Sequence, residues 1–195
     1  MTGSRSCLGL ALVLLLLAAA TASAAPKHRF VFELTGVKLK GKFPAALEAE
    51  IGKQLSKQIK ANPRLLAEPP EGAPDPSTDP KGFKAYMQKR RLRSFKVNVE
   101  VTDYEERIEP SPRSKRGKMV VVRIALRIFG ETVPERTMAF TGDGSATIKI
   151  GTGSKVRDKD KQVANREATQ LAVEDAVGTS IRKLDAGKKK KKKRR

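Results

Sequence analysis

The 195-residue chain carries 41 Lys+Arg against 21 Asp+Glu, one His, one Cys and no Trp, for a formal net charge of +20. That length holds one domain with extensions, and a hydrophobic fraction of 38% is enough to build a core. A lone cysteine excludes a disulfide framework, and Cys7 and His28 are the only soft or nitrogen ligands, so metal and imidazole chemistry are poorly supplied.

Residues 1–24 have the three parts of a secretory signal peptide. Arg5 and the amino terminus supply the positive region, Leu8 to Ala20 the apolar run, and Ala22-Ser23-Ala24 the small-x-small pattern read by a signal peptidase. Cleavage is expected before Ala25. The run is shorter than the ~20 residues that span a bilayer. Cys7 precedes it instead of following it, which argues against lipidation, and Arg5 stands alone, which argues against twin-arginine export. Removal of this segment takes away Arg5 and the cysteine and leaves a chain of +19. A cysteine-free chain suits an oxidising compartment.

Phe30 to Val37 reads as a first strand, with Phe30, Phe32 and Leu34 on one face. Pro44 opens a helical pattern in which Leu47, Ile51, Leu55 and Ile59 recur every four residues, so 44–61 is an amphipathic helix that Asn62-Pro63 stops. Residues 68–80 hold Pro69, Pro70, Pro74, Pro76 and Pro80 and read as a surface loop, or one ordered only by contact. Asp79-Pro80 starts a short helix over 80–92.

Phe95, Val97, Val99 and Val101 alternate with polar residues, as do Val120, Val122, Ile124, Leu126 and Ile128, the period of half-buried strands. Residues 110–118 form the polar loop between them. A third strand is expected at 135–141, broken by Gly142-Asp143-Gly144 before 146–150 resume. These pieces make an antiparallel meander with one wet face. Over 157–184 Val173, Val177, Ile181 and Leu184 form a helical stripe beside a ladder of Ala164, Ala168, Ala172 and Ala176 that allows close approach to a sheet. Gly187 should end that helix. The order β-α-(α)-β-β-β-α predicts an α+β fold: a two-layer sandwich, mainly antiparallel, with helices on one face, forming a single domain over 25–187.

No catalytic constellation emerges. Gly151-Thr152-Gly153-Ser154-Lys155 lacks the phosphate-loop spacing and reads as a strand-to-helix connection. Asp158 and Asp160 are flanked by Arg157, Lys159 and Lys161, which would repel a cation; Asp158 fits a helix amino terminus better. Glu105, Glu106 and Glu109, or Glu174 and Asp175, are carboxylates that no spacing forces together. No serine sits in a nucleophile-elbow context. The expectation is therefore a protein that is not an enzyme and uses no cofactor.

The basic clusters remain: Lys38-Lys40-Lys42, Lys89-Arg90-Arg91-Arg93, Arg113-Lys115-Arg116-Lys118, and a disordered tail of Lys188, Lys189, Lys190, Lys191, Lys192, Lys193, Arg194 and Arg195. The tail alone carries +8, so the domain before it is about +11. So dense a run repels itself and needs a counter-charge. Outside the cytoplasm the abundant polyanions are phospholipid head groups, lipopolysaccharide, wall polymers and extracellular nucleic acid. Aromatic residues of the kind that stack bases are few near these clusters: Phe83, Tyr86 and Tyr104. The expected role is a periplasmic or secreted, non-catalytic binding or scaffold protein of the cell envelope whose tail touches anionic surfaces or an acidic protein. The alternative is an exported nucleic-acid-binding protein.

Phe95 to Val101, Phe129 to Pro134, Gly142 to Thr147 and the Ala-rich helix ending at Leu184 resemble small secreted or periplasmic proteins of unknown function from deltaproteobacteria such as myxobacteria. The layout of strand, helix, meander and final helix also resembles the α/β domains of envelope lipoproteins of the curli-secretion and TolB amino-terminal kind. That resemblance implies envelope assembly or binding rather than catalysis, and it carries no functional residue across. The chain departs from those lipoproteins in lacking a lipobox cysteine.

Overall fold

The computed structural model describes residues 29–39, 43–112 and 114–192, the last six of these as backbone only. The expected signal peptide and Lys193, Arg194 and Arg195 lie outside the described residues. Eight elements follow in chain order: β1 (Phe30–Leu39), α1 (Ala45–Ala61), β2 (Leu65–Leu66), α2 (Pro80–Lys89), β3 (Arg93–Pro110), β4 (Lys118–Thr132), β5 (Met138–Thr152) and α3 (Asp158–Lys192).

The strands make one five-stranded sheet in the order β2-β1-β3-β4-β5. β3, β4 and β5 are the expected antiparallel meander, whereas β1 pairs parallel to both β2 and β3. A parallel pair needs a crossover, and the segment carrying α1 and α2 supplies it. Alternation does the rest. Phe30, Phe32, Phe95, Val97, Val99, Val101 and the even residues Val120 to Ile128 point to one face, where α1 and α3 cover them. Leu47, Ile51, Leu55 and Ile59 of α1 and the full alanine ladder of α3 are buried there, as the periodicity predicts. Phe32, Phe95 and Phe140 form the aromatic centre, with ring centroids 5.3–5.9 Å apart.

Val31 points the other way. It is buried under Phe83 and Met87 of the short helix α2, with Leu92, in a second, smaller cluster. The proline-rich loop is ordered by contact with that helix: Ala73 joins the cluster and the Tyr86 hydroxyl donates to the Glu71 carbonyl at 2.6 Å.

Three boundaries differ from the sequence reading. Gly142-Asp143-Gly144 does not break the last strand, because β5 runs unbroken to Thr152. The two glycines are instead where α3 lies on the sheet: a Cβ at Gly142 would meet Ser180 and the Ala176 carbonyl, and one at Gly144 the Ala172 carbonyl and the Ala176 amide. The helix over 80–92 stops at Lys89, and Leu92 is buried as part of its cap. Finally, Gly187 does not end α3, whose backbone is helical to Lys192. One glycine costs a helix about 1 kcal/mol, lysine is a good helix former, and cations suit a helix carboxyl end, so the run tolerates Gly187.

Candidate functional site

The carboxylates considered for acid–base work are separated by alternation. Glu105 and Glu109 bracket Arg107 on the open face, at 2.7 and 2.6 Å. Glu106 faces the helices, where it accepts from the Asn165 amide at 2.8 Å and the Tyr104 hydroxyl at 3.1 Å, with Lys161 Nζ at 3.3 Å. Burial raises the Glu106 pKa, but the hydrogen bonds from Asn165, Lys161 and Tyr104 outweigh it and hold the carboxyl below its ordinary range. Burial and the Glu106 charge push the Tyr104 phenol up to about 12. The cluster is a strut between β3 and α3. Beside it a groove of about 730 Å³ runs between α1 and the first turns of α3. Asp160 turns back to accept the Arg157 amide at 3.0 Å, and Asp175 accepts the Ser145 amide at 3.4 Å. These are structural roles. Among the described residues no group of three His, Cys, Asp or Glu is placed to hold a metal ion.

The arginines are the feature that the fold concentrates. Arg29 precedes β1, Arg64 precedes β2 and Arg93 opens β3, so the parallel register sets all three at one end of the sheet. The Arg29 amide donates to the Arg64 carbonyl at 2.9 Å, and the Arg93 amide to the Arg29 carbonyl at 3.1 Å. Arg90 and Arg91 reach the same end through the α2 cap, and Arg136 through the β4–β5 turn, where Phe95 pairs with Thr132. Three of these guanidinium groups lie over aromatic rings: Arg64 over Phe30 (5.6 Å), Arg90 over Tyr86 (4.8 Å) and Arg93 over Phe95 (5.1 Å). α3 arrives at this end too, since the Asp185 carboxylate is bonded to Arg64 at 2.7 Å. The expected anion-contact residues begin three positions later: Lys188 to Lys192 continue the helical backbone out of this pole.

At this pole two arginines hold backbone conformations that favour glycine. The α2 cap is a Schellman motif: the Leu92 amide donates to the Met87 carbonyl at 2.9 Å and the Arg91 amide to that of Gln88 at 3.0 Å, with Leu92 packed on Met87. Its left-handed position, where glycine is the usual residue, is Arg91 at φ 58°. Among the described residues the other non-glycine with a positive φ is Arg136, at 53°. Both are arginines at the same end of the molecule. Arg29, Arg90, Arg91 and Arg136 are exposed and, among the described residues, form no ion pair.

Of the clusters read from sequence, Lys89-Arg90-Arg91-Arg93 therefore joins the tail, whereas Lys115, Arg116 and Lys118 lie on the β3–β4 hairpin at the opposite end. Lys38 is exposed on β1; Lys40, Lys42 and Arg113 lie outside the described residues. Arg29, Arg64 and Arg136 were not legible as site residues, because each is an isolated arginine that only strand register brings to the cluster. The aromatic residues near the clusters are committed to packing: Phe83 is buried, Tyr86 holds the proline-rich loop and Tyr104 the strut. No helix among the described residues is long and apolar enough to cross a membrane.

No protein-family model matches this chain, and no curated protein does. Among solved structures it is similar to a Xanthomonas campestris protein of the family DUF330, with 9% identity and a TM-score of 0.45 over 86% of this chain and 92% of the other. It is also similar to a homolog of neuraminyllactose-binding hemagglutinin from Helicobacter pylori, at 14% identity and TM-score 0.39 over 78% and 80% of the two chains. A minor lipoprotein from Acinetobacter baumannii gives 13% identity and TM-score 0.36 over 83% and 93%. With TM-scores of 0.45 and below, the reading of the arginine pole rests on its own geometry.

Proposed function

We propose that this protein is an exported, non-catalytic binding or scaffold protein of the cell envelope, cleaved before Ala25 and periplasmic or secreted. It holds anionic surfaces through the arginine pole and the polybasic segment from Lys188 to Arg195. The observation that carries the reading is the convergence of Arg29, Arg90, Arg91 and Arg93 with the carboxyl end of α3, which leads into that segment. Each basic residue brought near an anionic leaflet contributes about 1 kcal/mol, so the segment and the pole together supply several. Long-range attraction of this kind is screened over about 10 Å at 0.1 M salt. The commitment of Phe83, Tyr86 and Tyr104 to packing favours lipid head groups and other phosphate- or carboxylate-bearing surfaces over stacked bases.

The test compares the chain from Ala25 to Arg195, with and without 188–195, for co-sedimentation with phosphatidylglycerol vesicles and for binding to duplex DNA at two ionic strengths. Salt-sensitive vesicle binding that is lost with 188–195 is expected. Tight DNA binding that survives removal of 188–195, without vesicle binding, overturns the reading in favour of a nucleic-acid partner.

A further inference from the structure

The far end of the molecule carries a second basic cluster, assembled from two segments that are distant in sequence. The hairpin closes with the Ser111 amide donating to the Gly117 carbonyl at 2.8 Å. Lys118 pairs with Thr152, its amide donates to the Gly153 carbonyl at 3.1 Å, and the Thr152 hydroxyl donates to the Lys118 carbonyl at 3.0 Å. This lays the glycine-rich connection and the start of α3 beside the hairpin tip. Lys115, Arg116, Lys118, Lys155 and Lys159 are thereby gathered at one end, all exposed and, among the described residues, in no ion pair.

Between the two ends, carboxylates pair the three arginines of the open sheet face. Arg107 is held by Glu105 and Glu109, Arg123 by Asp103 at 3.3 Å and Arg127 by Asp143 at 2.5 Å. Two clusters of cations without an ion pair among the described residues therefore stand at opposite ends of the sheet, and further exposed cations, Lys53, Lys57 and Arg166, lie on the helices between them. From Asp158 to Asp185 α3 covers roughly 40 Å, at about 1.5 Å per residue. That is several times the ~10 Å over which salt screens a charge, so the poles act independently.

We infer that the hairpin end is a second anionic-lipid contact, so that one molecule bridges two anionic bilayers, the arginine pole on one and the hairpin pole on the other. The inference rests on the reading of the arginine pole for its first contact and supplies the second from different residues. Exposed lysines and arginines spread over the hairpin tip and the start of α3 fit a layer of phosphate head groups better than a single shaped ligand.

The test uses the chain from Ala25 to Arg195, which contains every element of the fold, and a Lys115→Glu/Arg116→Glu/Lys118→Glu variant whose far-UV circular dichroism and unfolding midpoint are checked first. Binding to one supported phosphatidylglycerol bilayer is measured beside clustering of phosphatidylglycerol vesicles by light scattering. The parent should coat the bilayer and cluster vesicles; the variant should still coat it through the arginine pole but lose clustering. Coating without clustering by the parent, or unchanged clustering by the variant, overturns the bridge and leaves the arginine-pole reading standing. Coating that survives deletion of 188–195 and disappears only when the hairpin is also reversed supports the hairpin contact while overturning the primacy of the tail.

Discussion

A single guanidinium nitrogen of Arg64, Nη2, donates to both carboxylate oxygens of Asp185 at 2.7 Å, across 121 residues of sequence. The pair ties the start of β2 to the last described side chains of α3, and so fixes where the polybasic segment leaves the domain. Its two side chains are 32% and 33% exposed, so the Coulomb term is discounted for solvent and its loss should cost less than about 1 kcal/mol. Asp185→Asn should leave global unfolding nearly unchanged while amide exchange rises in the last turns of α3. Exchange unchanged over 181–190 would show that the pair does not anchor the helix end.

Gly144 and Gly142 should be among the least replaceable positions on the sheet. A methyl group at Gly144 falls on the backbone of α3 at Ala172 and Ala176, which cannot swing aside as a flexible side chain could. Gly144→Ala should therefore lower stability in urea by about 1–3 kcal/mol. Gly151→Ala, on the same strand with open space around it, should fall within about 0.5 kcal/mol of the parent. Equal effects at the two positions would mean that the helix can back away from the sheet.

How much of this was legible in sequence depends on the range of the interaction. The stripes at Leu47 to Ile59 and Ala164 to Ala176 and the alternation at Phe95 to Val101 report burial of a face, a local property, and they placed the layers. Asp79-Pro80 marked a helix start, and Asp79 does cap α2 by accepting the Gly82 amide at 2.8 Å. Gly142 and Gly144 were misread as a break because a glycine that admits a neighbouring backbone looks the same, in one dimension, as one that turns the chain. The parallel pairing of β1 was not legible either, since alternation fixes a strand's face and not its direction. The arginine pole depends on that pairing, so Arg90, Arg91 and Arg93 were legible as a charge run, whereas their meeting with Arg29, Arg64 and Arg136 was not.

The Tyr104–Glu106–Asn165 strut gives stability a dependence on pH at both extremes. The folded pKa of Glu106 lies below its ordinary value near 4.5, so its contribution is present above that value and is lost as pH falls through the depressed one. The Tyr104 phenol, at about 12 in the fold against 10.0 ordinarily, contributes stability that is complete below pH 10 and is lost as pH rises towards 12. With only two tyrosines in the chain, a Tyr86→Phe background leaves one phenol, whose ultraviolet titration should centre near 12. Tyr104→Phe should remove the alkaline slope of stability while the acid slope persists. A Tyr104 midpoint near 10 would mean that the phenol is solvated rather than held against Glu106.

Arg91 separates stability from binding most cleanly. It occupies the left-handed position of the α2 cap at φ 58°, a conformation that costs a residue with a Cβ about 1 kcal/mol and glycine almost nothing. Nothing in the cap uses the guanidinium: the bonds there are made by backbone amides and the packing by Leu92 and Met87. Arg91→Gly should therefore raise the unfolding free energy by about 0.5–1 kcal/mol, and at the same time weaken binding to phosphatidylglycerol vesicles by about 1 kcal/mol, near fivefold. Arg91→Lys should keep the strain and most of the binding, because a point charge serves a diffuse anionic layer almost as well as a planar fork. Strain retained at a position where glycine is the cheaper residue is what a charge kept for contact would look like. If Arg91→Gly stabilises the fold and leaves vesicle affinity untouched, the arginine at this cap has no part in anion contact and the pole must be redrawn around Arg29, Arg90 and Arg93.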